Sequence, residues 1–110
     1  MESADLNIVE IPHESGGVRF RYQRVLSGDG SRWIRHGLFV EYGTNGQVVA
    51  EGSYVNGKEE GLWHSYYPSG QLASKGQYSN GAGEGDWHFW SPTGAEEPPV
   101  HYRNGEEVRN

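Results

Sequence analysis

The sequence predicts an all-β fold: a single-layer antiparallel meander of β-hairpin repeats, three repeats of 24 residues behind an atypical N-terminal capping hairpin. Three observations predict it. The first is repetition: Gly61-Leu62-Trp63-His64-Ser65-Tyr66, running on to Gly70, is written again as Gly37-Leu38-Phe39-Val40-Glu41-Tyr42 and as Gly85-Asp86-Trp87-His88-Phe89-Trp90. Downstream, Tyr54, Asn56 and Gly57 return as Tyr78, Asn80 and Gly81, then as Tyr102, Asn104 and Gly105, always 24 residues apart. A fixed period of this length marks a repeat architecture. The second observation is a pair of alternating turn signals, Pro68-Ser69-Gly70 and Asn80-Gly81; Asn-Gly favours a two-residue hairpin because both residues tolerate positive φ. The third is that the runs between the turns are short and rich in Trp, Tyr and Val, the composition of strands.

Each repeat therefore reads as two antiparallel strands, for example 62–67 and 71–78. Strand alternation puts Val48, Ala50, Gly52 and Tyr54 on one face, and Leu72, Ser74, Gly76 and Tyr78 on the same face of the next repeat. These sets are the more apolar and are assigned to the packed side. A glycine in mid-strand costs roughly 0.5–1 kcal/mol relative to alanine, which makes sense at Gly52 and Gly76 if a neighbouring ring lies over each. Trp63, Tyr66, Trp87 and Trp90 are the candidates. Trp63 and Tyr66 are three apart, so either a bulge intervenes or both faces are partly covered.

Residues 1–5 read as a loose tail and 6–35 as the cap. Within the cap, Ile8, Val9 and Ile11 form a strand ended by Pro12. Ser15-Gly16-Gly17 turns into the alternating Val18-Arg19-Phe20-Arg21-Tyr22-Gln23. Terminal units of an array are expected to be atypical. At the other end, Pro98-Pro99 cannot donate ladder hydrogen bonds, which places that strand at an edge, and the polar run from Gly105 is expected to fray.

The pattern Gly-x-Trp-x-x-Tyr-x-x-x-Gly followed by Gly-x-Tyr-x-Asn-Gly resembles the MORN family of repeats over residues 36–108. It is closest to the bacterial variant found among antitoxins of toxin–antitoxin systems. The resemblance implies a solenoid-like sheet and a binding function with no catalytic residues to carry over. It points to an antitoxin or immunity protein that neutralises a partner toxin by direct binding. The alternative is a structural scaffold or tethering adaptor, as in eukaryotic members of the wider family. The third copy departs from the pattern: Asp86 replaces Leu, and Glu96-Glu97-Pro98-Pro99 replaces the start of its second strand.

Composition fits that reading. A chain of 110 residues is one domain by length, and 13% aromatic residues offset a scarcity of aliphatics. Without cysteine, signal peptide or long apolar run, the chain is expected in the cytoplasm. No nucleophile elbow or phosphate-binding loop is present. His64 and His88, equivalent residues two strands apart, would stand about 9–10 Å from each other, too far to share a metal. No cofactor is implied.

The net charge of −6 lies entirely in residues 36–110, since 1–35 hold five acids and five basic residues. The Asn-Gly turns carry Lys58-Glu59-Glu60, Glu84 with Asp86, and Glu106-Glu107, whereas the turns at 44–46, 68–70 and 92–94 carry no charge. Alternate turns of a meander lie on opposite edges, so one edge is expected to be an acidic ridge. Arg19, Arg21, Arg24, Arg32 and Arg35 form a basic end. Solvated turns that keep the chain soluble would account for the ridge; so would docking of a basic partner, since complementary potential speeds encounter. The excess of acid argues against nucleic acid and an anionic membrane. The expected partner-binding residues are Glu59, Glu60, Glu84 and Asp86, with Tyr66, His88 and Trp90 as an aromatic surface for the same partner.

Overall fold

Short aromatic runs separated by tight turns can only pair with their sequence neighbours, and they do so throughout. A computed structural model of the chain describes residues 6–108, so the tail expected at 1–5 lies outside them. The strands are β1 (Asn7–Pro12), β2 (Val18–Leu26), β3 (Trp33–Tyr42), β4 (Val48–Val55), β5 (Lys58–Tyr66), β6 (Leu72–Ser79), β7 (Ala82–Phe89), β8 (Val100–Arg103) and β9 (Glu106–Glu107). They follow one another in a single antiparallel sheet in the order of the sequence. The fold is all-β, with no helix among the described residues. A radius of gyration of 16.0 Å, against about 13 Å for a compact chain of this length, is the signature of one open layer.

The Asn-Gly turns are of the type that needs positive φ at both residues: Asn56 and Gly57 at 50° and 85°, Asn80 and Gly81 at 55° and 88°, Asn104 and Gly105 at 53° and 82°. Each is held by the preceding repeat. The Gly57, Gly81 and Gly105 N–H groups donate to the carbonyls of Arg35, Glu59 and Gly83 at 2.8–2.9 Å. The opposite turns also repeat, with Gly46, Gly70 and Gly94 donating to the carbonyls of Gly43, Tyr67 and Ser91. The β1–β2 turn has the same pattern, Gly16 N–H to the His13 carbonyl, whereas β2 and β3 are joined by a longer loop closed by Ser27 N–H to Arg32 O. The N-terminal hairpin thus shares one turn of the repeat and lacks the other.

One face carries the packing. Rings run along it as Phe39–Tyr54 (5.5 Å), Tyr54–Trp63 (5.5 Å), Trp63–Tyr78 (5.9 Å), Tyr78–Trp87 (5.1 Å) and Trp87–Tyr102 (6.3 Å), all edge-on. Such pairs contribute about 0.5–1.5 kcal/mol each beyond area burial. Phe39 and Trp87 are the buried apolar side chains of this face. Trp63 lies on Gly52 and Trp87 on Gly76, as the mid-strand glycines suggest: a Cβ would stand 2.1 Å and 2.0 Å from the two indoles. Each indole N–H then donates to the next carbonyl, Ser53 or Gln77 (3.1 and 3.2 Å). Tyr66 and Trp90 do not cover glycines, and Val100, the third equivalent, has only the two-residue β9 beyond its strand.

The strands also begin earlier than their aromatic runs. β5 starts at Lys58 and passes through Gly61, where Gly61, Leu62 and Trp63 together oppose Gly52 of β4. Gly37, Gly61 and Gly85 all have positive φ, at 109°, 80° and 73°; they are bulge glycines, not turn residues. The expectation that the end frays is corrected for Glu106 and Glu107, which pair with Arg103 and Tyr102. Here a third Asn-Gly turn closes one more short hairpin, so the proline-bearing segment is not the last strand.

Candidate functional site

The second face is built from the residues that alternate with the rings. Leu62 and His64 flank Trp63, and Asp86 and His88 flank Trp87, so both pairs point away from the indoles. Cross-strand registration adds Glu51 opposite His64, Lys75 opposite both His64 and His88, and Gln77 opposite Leu62 and Glu84. A shallow cleft of about 390 Å³ gathers Leu62, Lys75, Gln77, Glu84, Asp86 and His88. Leu38 and Leu62, equivalent positions of the first two repeats, are 62% and 47% exposed, an apolar surface without a covering layer.

Tyr66 lies on this second face. Its hydroxyl donates to Glu51 Oε2 at 2.7 Å and its ring stacks 6.3 Å from His64. Both faces are therefore partly covered, and a register shift between Ser65 and Tyr66 does not reunite Tyr66 with Trp63. The hydrogen bond to Glu51 raises the tyrosine pKa, with burial and the carboxylate's charge adding to it. Trp90 repeats the arrangement beside His88 (6.3 Å), and its carbonyl accepts from the Tyr67 hydroxyl. His88 Nδ1 stands 3.8 Å from Glu96.

The acidic ridge does not stay together. Adjacent strand residues face opposite ways, so Glu59 lies on the ring side, across from Tyr54, while Glu60 lies on the second face across from Ser53. Glu60 and Glu84 are also committed: Glu60 Oε1 accepts the Asn80 N–H at 2.8 Å and Glu84 Oε2 the Asn104 N–H at 2.5 Å. His36, their equivalent, accepts the Asn56 N–H through Nδ1. Each Asn-Gly turn is thus tethered by the side chain 20 residues before it. Asp86 is exposed and pairs with His101 Nδ1 at 2.7 Å. Glu84, Asp86 and His88 share the cleft; Glu59 does not reach it.

The basic end is similarly engaged. Arg21 pairs with Glu10 (3.1 Å), while Arg19 lies over Phe20, Arg24 over Trp33 and Arg35 over Tyr22, at 4.8, 4.0 and 4.7 Å from the ring centres. No group of three or more metal-ligating side chains is assembled among the described residues.

The family model of the MORN repeat variant matches residues 35–56 and 59–80. These two stretches are β3–β4 and β5–β6, the first two repeats; of the resemblance drawn above over 36–108, the match covers these and not the third repeat. No curated protein and no solved structure matches the chain. MORN repeats are generally protein- or membrane-binding modules and generally non-catalytic. Sequence reasoning missed Leu62, Lys75 and Glu51 on this face. Strand alternation, applied to the first strand of each repeat as it was to the second, finds Leu62. Alternation in the second strand already sets Glu51 and Lys75 on the face away from the rings, and cross-strand pairing brings them beside His64 and His88.

Proposed function

We propose that the chain is a non-catalytic protein-binding module of the cytoplasm that neutralises a basic toxin by direct binding, as an antitoxin or immunity protein does. The observation that supports it most is the cleft on the second face, where Glu84, Asp86 and His88 meet the exposed Leu62. A carboxylate beside an uncovered leucine offers a basic partner both a steering charge and an apolar anchor. The six excess negative charges of residues 36–110 favour such a partner, and the resemblance to antitoxin-type repeats favours a toxin.

The test is co-expression with the product of the neighbouring gene, scored by growth, followed by association kinetics at two salt concentrations. Asp86→Lys should slow association about 2- to 5-fold at low salt, and the effect should vanish near 1 M salt, where charges are screened within about 3 Å. Glu59→Lys, on the other face, should leave the rate unchanged. No growth rescue and no salt-dependent complex would defeat the proposal; equal binding to several proteins or to lipid vesicles would support a tether instead.

A further inference from the structure

The ring face has an opening that the first repeat fills with its own side chain. At the C-terminal end, Tyr78, Trp87, Phe89 and Tyr102 surround a cleft of about 450 Å³ whose remaining lining is Gly81, Ala82, Gly83 and Gly105. Roughly 300–1,000 Å³ is the usual range of small-ligand sites. Tyr78 and Tyr102 stand edge-on to Trp87, so aromatic surface bounds the cleft on several sides.

Counting back 48 residues from Gly83, Trp87 and Tyr102 reaches Arg35, Phe39 and Tyr54. There the Arg35 guanidinium sits 4.7 Å from the Tyr22 ring centre, 5.4 Å from Phe39 and 5.4 Å from Tyr54. All three lie within the roughly 6 Å over which a cation is attracted to a ring face. The equivalent residue is Arg35 in the first repeat, Glu59 in the second and Gly83 in the third. In the third, Trp87 and Tyr102 repeat Phe39 and Tyr54, Gly76 stands in the place of Tyr22, Tyr78 adds a ring of its own, and the cation is missing. The electrostatics also suit a cation: no basic residue is among those lining the cleft, with Lys58 laying only its stem beside Gly81. Burial and then the charge of Glu59 raise the pKa of the bordering Tyr78 hydroxyl, and Glu107 pairs across from Tyr102.

We propose that the cleft over Gly83 is a binding site for the guanidinium of an arginine on a partner protein, the place that Arg35 occupies in the first repeat. It lies on the face opposite Asp86 and does not depend on the partner being a toxin. A planar cation that stacks on rings fits it better than a compact, strongly hydrated ammonium.

The probe is N-acetyl-arginine N-methylamide, titrated against the full chain by backbone and indole NMR. Saturable shifts are expected at Gly83, Gly105 and the Trp87 indole, at least tenfold weaker with the uncharged citrulline analogue. Gly83→Arg should abolish the response by filling the cleft from within. The position has room, because a Cβ there would meet nothing nearer than Trp87 Nε1 at 3.4 Å, and its φ is not positive. In Arg35→Ala the first cage opens, so a second set of shifts is expected at Tyr22 and Tyr54. Equal response to the citrulline analogue, or an unchanged response in a folded Gly83→Arg, would overturn the site. Should Gly83→Arg fail to fold, Arg35→Ala decides: a second set of shifts upholds the site, and their absence overturns it.

Discussion

Trp63 and Leu62 are neighbours in one strand and live in different surroundings. Trp63 lies over Gly52, donates its indole N–H to Ser53 and touches Tyr54 and Tyr78. Leu62 is 47% exposed. The same division separates Trp87 from Asp86, and comparing the repeats shows what it means. On the ring face the rings themselves agree, Phe39, Trp63 and Trp87, then Tyr54, Tyr78 and Tyr102, although Arg35, Glu59 and Gly83 at its margin do not. On the other face they diverge: Leu38, Leu62 and Asp86; Val40, His64 and His88; Glu51 and Lys75. A single-layer sheet has one face on which to store its packing energy, and the other can then differ between copies without unmaking the fold.

The sharpest way to break this comparison is to truncate the two neighbours in turn. Trp63→Ala should cost about 3–5 kcal/mol, the range for large aromatic truncations, whereas Leu62→Ala should stay within about 0.5 kcal/mol, as surface changes do. Gly76→Val belongs with the first, since its Cβ alone would stand 2.0 Å from the Trp87 ring. Denaturant unfolding of the three variants measures all of it. Similar losses for Trp63→Ala and Leu62→Ala would mean that the faces share the load and the division is false.

A smaller effect separates two kinds of carboxylate on one face. Glu60 and Glu84 accept turn N–H groups, so replacing either by alanine should cost about 1 kcal/mol, comparable to losing a helix cap. Asp86→Ala, which removes only an exposed pair with His101, should cost less than about 0.5 kcal/mol. Thermal unfolding in low salt resolves the difference. A Glu60→Ala variant as stable as Asp86→Ala would return Glu60 to the pool of freely exposed charges.

The contrast also explains what was legible in the sequence. The period, the turn types, the rings on Gly52 and Gly76 and the sequential order of the hairpins all follow from local chemistry, the ninth strand excepted: Asn-Gly needs positive φ, and mid-strand glycine needs a neighbour to cover it. The site was less legible because its residues are defined by pairing between repeats. Glu59 and Glu60 adjoin in sequence and read as one acidic ridge, yet strand alternation sends them to opposite faces. The tether from Glu60 to Asn80 spans 20 residues, and nothing local announces it. Gly61 read as a strand boundary because a bulge glycine and a turn glycine have the same composition and differ only in what opposes them.

The smallest expected effect compares two turns on the same edge. Where the repeats have Asn-Gly, the cap has the loop from Ser27 to Arg32, organised by Asp29. Its carboxylate accepts from the Ser27 hydroxyl (2.6 Å), the Ser31 hydroxyl (2.7 Å) and the Ser31 N–H (3.0 Å). Led by the Ser27 bond, these hold its pKa down, from 3.8 to about 2. A carboxyl whose folded pKa is depressed stabilises the fold above its unfolded pKa, and that contribution disappears as pH falls through the folded value. The loss should therefore fall between about pH 4 and pH 2, and the exposed position keeps it small. Carbon-detected NMR of the Asp29 carboxyl should titrate near 2, and Asp29→Asn should remove this part of the acid dependence. A midpoint near 4 would mean that the serines do not hold the carboxylate in solution, leaving the long loop, unlike its counterparts in the repeats, without an organising side chain.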